Sequence, residues 1–86
     1  MRPVGLAAVK AGREAGGLFF VLGHEEGRAL LADGRRRKLA APKKKNPRHF
    51  ELLPPEEFGR AASLLGEELT DRKIIRALAA YKAGRI

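Results

Sequence analysis

The sequence predicts a mainly-β fold: a small antiparallel barrel over residues 1–53, followed by two short C-terminal α-helices over residues 54–86. Three observations carry this. Short apolar runs separated by glycine turns fill the N-terminal part, the composition changes at Pro54-Pro55, and a helical apolar period follows Thr70. Strands so short and so evenly spaced fit a small barrel better than a sandwich. The helical extension is expected to pack on the barrel.

The elements follow in order. Val4–Lys10 (VGLAAVK) alternates weakly and ends at the glycine-rich loop AGREAGG. Leu18–Gly23 (LFFVLG) is apolar, aromatic and β-branched, a strong strand signal. HEEG then turns tightly, with Gly27 suited to a positive φ. Arg28–Ala32 (RALLA) is the next strand, and Asp33-Gly34 is a favoured hairpin dipeptide. Arg35–Leu39 is expected to pair back across that turn as an edge strand, since dense charge suits an edge. Pro42 and Pro47 bracket the lysine run and argue against a regular central strand there, so Pro42–His49 reads as an anchored loop. His49–Leu53 (HFELL) returns as the last strand. Pro54-Pro55 with Glu56 and Glu57 marks a helix start, Phe58, Ala61, Ala62 and Leu65 supply its stripe, and Gly66 stops it. Thr70 caps a second helix in which Ile74, Ile75, Leu78 and Tyr81 face one way and Arg72, Lys73 and Arg76 another.

Composition narrows the functional classes. The formal net charge is +8 in 86 residues. Residues 1–53 carry 12 Lys/Arg against 5 Asp/Glu, a net of +7, whereas residues 54–86 carry 6 against 5, a net of +1. Such an excess favours anionic partners and concentrates them on the N-terminal part. Arg35–His49 is its densest stretch, with 8 Lys or Arg in 15 residues and no acid between Asp33 and Glu51. Without cysteine, disulfides and thiolate-bound zinc are excluded. Lys10, Arg13 and Glu14 interrupt any signal-peptide core, and no run approaches the roughly 18 apolar residues of a membrane span. A soluble, cytoplasmic chain with no membrane contact, monomeric when free, is expected.

Catalytic constellations are lacking. His24 and His49 stand 25 positions apart without cysteine to complete a metal site. Ser63 is the only serine and has no GxSxG context. Glu25-Glu26 belongs to a turn and Glu56-Glu57 to a helix N-terminus. GREAGG is not a phosphate loop, because GxxxxGK[ST] is missing, and the Gly12/Gly16 spacing lacks the apolar segment of a membrane dimer motif. A non-catalytic protein without cofactor or metal is expected.

A Val-Lys strand end, then Gly12, Arg13 and Gly16, then a hydrophobic strand, resembles the KOW motif of translation and transcription proteins. Three blocks in order, Ala11–Gly16 (AGREAG), Arg35–Arg37 and Asn46–Glu51 (NPRHFE), are similar to the KOW-domain large-subunit ribosomal protein family of archaea and eukaryotes, the L-fourteen-e type, and its small bacterial relatives. The resemblance covers about the first 53 residues. It implies an SH3-like barrel and an RNA-binding role in the translation apparatus, with ribosomal RNA and ribosomal proteins as partners. It also implies that the loop Lys10–Gly16 and the segment Arg35–His49 face RNA.

The residues expected at that surface are Lys10, Arg13, Arg35, Arg36, Arg37, Lys38, Lys43, Lys44, Lys45, Asn46, Arg48 and His49, with Gly12, Gly16 and Gly17 shaping the loop. Arginine offers a planar fork matched to phosphate oxygens and lysine a point charge. Aromatics make up only 6% of the chain, so stacking platforms for single-stranded bases are scarce, and structured RNA is the expected partner. Plainer roles stand beside these. The lysine run can be a solvated linker, Arg28 an edge guard, Arg13 a loop brace to Glu14 or Glu51, and Phe50 a core residue rather than an exposed stack. A module docking on the ribosome or RNA polymerase through the C-terminal helices is the alternative function, and nonspecific DNA binding follows from charge alone.

Overall fold

Five antiparallel strands in the spatial order fourth–third–second–first–fifth make a curled sheet, a half-barrel, with two helices after it in the computed structural model, which describes residues 2–84. The strands are β1 (Gly5–Val9), β2 (Leu18–Glu25), β3 (Arg28–Ala32), β4 (Lys43–Lys45) and β5 (Phe50–Leu52), and the helices are α1 (Pro55–Ala62) and α2 (Asp71–Lys82). The mainly-β class, the antiparallel barrel-like sheet and the two C-terminal helices all follow the expectation. No helix among the described residues is long and apolar enough to cross a membrane.

The strand runs are apolar without clean alternation because both faces of the sheet are covered. One face of the pleat gathers Ala7, Val9, Phe19, Val21, Ala29, Leu31 and Phe50 inside the curl. The intervening positions Leu6, Phe20 and Ala32 face the other way and pack under Ala61, Leu65, Ile74, Ala77 and Leu78 of the helical part. A register shift between Val21 and Gly23 puts a bulge in β2, which sharpens the bend the curl requires. Phe20 meets Phe58 edge-to-face at 6.4 Å, and the Tyr81 hydroxyl donates to Glu57, tying α2 to α1. Pro55 opens α1, and Thr70 caps α2 by accepting from the Lys73 amide at 3.2 Å. Helix α1 ends at Ala62, four residues before the expected stop at Gly66.

The largest departure lies between β3 and β5. Arg35–Leu39 is not a strand, and Asp33-Gly34 is not a tight hairpin. The Asp33 carboxylate accepts from the amides of Arg35, Arg36 and Arg37 at 3.1, 3.0 and 2.9 Å, so those donors serve a turn and are unavailable to a ladder. Gly34 sits at φ +83 beneath the start of α2, where an added Cβ would clash with the Asp71 carbonyl oxygen. Asp71 also accepts from the Leu39 amide at 2.9 Å, fastening the loop to the helix. The edge strand is instead Lys43–Lys45, paired with Ala29–Leu31. Part of the expected loop Pro42–His49 is thus a three-residue strand between the two prolines, at the edge of the sheet and not in its centre, and neither proline has to donate to the ladder.

Two outcomes follow. Gly34→Ala should lower unfolding stability in urea by about 2 kcal/mol or more, because it combines a left-handed backbone with a clash. A chain ending at Leu53 should lose its cooperative thermal transition, because it uncovers Leu6, Phe20 and Ala32; a folded truncated sheet would show that the helices are dispensable.

Candidate nucleic-acid interface

Three basic segments, distant in sequence, meet at one end of the sheet. The first is the loop from Lys10 to Gly17. Its base is closed by Val9 donating to the Gly17 carbonyl at 3.0 Å and Gly16 donating to that of Val9 at 2.9 Å. The amides of Lys10 and Ala11 donate to the His49 carbonyl at 2.7 and 3.3 Å, bringing in the short 3-10 turn Pro47–His49. Asn46 begins that turn by accepting from the Arg48 amide at 2.9 Å.

Glu14 supplies the remaining links. Its side chain is 2% exposed and lies between Arg37 of the β3–β4 loop and Lys45 of β4. Both Nε and an Nη of Arg37 donate to Oε2, at 3.2 and 2.6 Å, and Lys45 Nζ donates to Oε1 at 3.1 Å. A buried carboxylate is tolerated only when paired and hydrogen-bonded. Two cations here meet one acid, leaving a local excess of one positive charge. The carboxyl is lowered from its ordinary value of 4.5 to about 2, chiefly by the Arg37 hydrogen bond and further by Lys45, against burial, which acts to raise it. Gly12 stands beside this cluster at φ +89, a left-handed backbone that favours glycine.

The expected site residues therefore divide. Lys45 is buried and Arg37 half-buried, and both bond to Glu14, so they share their charge with a buried acid. Lys44 is exposed but pairs with Glu25 at 2.6 Å and Glu26 at 3.7 Å. Lys10, Arg13, Arg35, Arg36, Lys38 and Arg48 are exposed, Lys43 is half-buried, and none of these makes an ion pair among the described residues. Arg13 braces neither Glu14 nor Glu51. His49 and Asn46 are exposed and, with Arg28, Lys43, Lys44 and Lys45, line a groove of about 310 Å³ along the β3–β4 edge. Gly16 and Gly17 lie in the turn that shapes the first loop.

Sequence reasoning undervalued Glu14 and Arg28. Glu14 is the only acid in the first 24 residues, inside a glycine loop of a very basic segment, and that isolation was the available signal. Phe19, Phe20 and Phe50 are buried, Phe58 is half-buried and Tyr81 is bonded to Glu57, so no aromatic among the described residues is free to stack on a base. No protein-family model matches the chain, and no curated protein is significantly similar to it.

Glu14 makes stability depend on pH. Its folded value lies below the ordinary one, so its stabilising effect is complete above about pH 4.5 and is lost as pH falls towards about 2. The urea midpoint of the wild-type chain should drop across that window. Glu14→Gln should cost about 3 kcal/mol at neutral pH and flatten the acid limb; an unchanged limb would show that other acids govern it.

Proposed function

We propose that this chain binds structured RNA, ribosomal RNA in the first instance, as a non-catalytic protein of the translation apparatus. The observation that carries the reading is the convergence of three basic segments on one buried carboxylate. It holds Lys10 and Arg13, Arg35, Arg36 and Lys38, and Lys43 and Arg48 at neighbouring positions on fixed backbone. Cations carried on fixed backbone lose less conformational entropy on meeting a phosphate backbone than those on a floppy tail, which must order its main chain as well. With no free aromatic, such a surface suits phosphates, 2′-hydroxyls and the shape of a folded RNA better than the bases of a single strand.

The resemblance of the three sequence blocks to KOW-domain ribosomal proteins points the same way and carries with it a cytoplasmic location. Docking on a protein partner through the C-terminal helices has less support, because Ile74 and Leu78 are buried against the sheet and the helical apolar face is largely spent there.

Binding of the intact chain to ribosomal RNA fragments tests the reading. If six to ten phosphates are neutralised, affinity should fall by about a thousandfold or more between about 50 and 200 mM salt. Arg13→Ala and Arg36→Ala should each reduce the slope by about one without moving the thermal midpoint, since both side chains are exposed and make no ion pair among the described residues. A flat salt response would reject RNA binding, and equal affinity for duplex DNA would reduce it to charge alone.

A further inference from the structure

The β2–β3 hairpin breaks a local rule at the basic edge. Its two central residues, Glu26 and Gly27, both have positive φ, +52 and +77, and Glu26 is the only non-glycine residue among those described to do so. Such a two-residue turn favours Asn-Gly or Gly-Gly, and a glutamate is strained there. An observed outlier of this kind motivates a search for what it serves. Glu26 is 81% exposed, so no packing requires its side chain. Among the described residues its one ionic contact is Lys44, at 3.7 Å, and the adjacent Glu25 reaches the same Nζ at 2.6 Å.

Lys44 occupies the middle of the strand that carries the basic run and lines the groove with Arg28, Lys43, Asn46 and His49. Two acids thus stand over one lysine in the most cationic part of the chain. Exposed ion pairs contribute little to stability, which makes a purely stabilising purpose a poor return for a strained turn. Their effect on the local field is larger: they cancel one phosphate-binding charge and repel any polyanion approaching from the hairpin side.

We propose that the Glu25–Glu26 hairpin is an acidic guard, an intramolecular competitor that withdraws Lys44 from RNA and lowers affinity for non-target polyanions. Contact is then left to the cations of the proposed surface that make no ion pair among the described residues, with Arg28 of the groove joining them. This rests on the RNA-binding reading and makes the hairpin a specificity determinant within it.

The test is the salt dependence of binding of the full-length chain to a random-sequence RNA duplex, in four forms: wild type, Lys44→Gln, Glu25→Gln/Glu26→Gln, and the three changes together. Lys44→Gln alone should leave the slope unchanged. Removing the two acids should steepen it by about one, enlarging the affinity loss between about 50 and 200 mM salt by about threefold, and adding Lys44→Gln should abolish that gain. Glu26→Asn should raise the thermal midpoint and tighten duplex binding together. The guard is overturned if Lys44→Gln alone makes the slope shallower, if the double variant keeps the wild-type slope, or if Glu26→Asn stabilises without changing binding. A wild-type chain with no salt-dependent RNA binding would bring down the functional reading itself, whereas normal binding with any of those three results would bring down only the guard.

Discussion

A buried carboxylate between two cations holds the basic end of this molecule together. Glu14 lies on the first long loop, Arg37 on the connection after β3, and Lys45 on the edge strand β4, so one side chain ties three segments that share no ladder. Desolvating Glu14 without partners would be prohibitive, and desolvating Lys45 without Glu14 nearly as costly. Glu14 and Lys45 are each tolerable only with the other in place. That mutual requirement sets the path of the loop and the inward turn of Lys45, beside the left-handed backbone of Gly12. The exposed cations nearby inherit their positions from this cluster without taking part in it.

The sheet beneath is a shared wall between two cores. Leu6, Phe20 and Ala32 point to the helices, while Ala7, Phe19, Val21 and Leu31 point into the curl. A three-residue edge strand made of lysines gains little from its own propensity. It forms because β3 offers a ladder and because Lys45 shares a face with Ala29 and Leu31, its ammonium reaching Glu14. The helices therefore act indirectly on the basic end: Asp71 accepts from Leu39 and crowds Gly34, shaping the loop that delivers Arg37 to Glu14.

Sequence alone determined what depends on local signals. The apolar runs LFFVLG and RALLA, the HEEG turn, the cap at Thr70, the proline start of α1 and the concentration of charge in residues 1–53 are readable from composition and periodicity, and the structure has strands, turn and helices there. Only the tertiary structure decided what depends on competition between partners. Asp33-Gly34 carries the chemistry of a hairpin turn, but three amides offered to one carboxylate and a helix lying across Gly34 made it a wider loop. The strand consequently moved from the arginines to the lysines. Likewise twelve side chains of one basic region are indistinguishable as a string of charges. Burial of a single glutamate divides them, because a carboxylate out of water must recruit its cations from whichever segments the fold brings within reach.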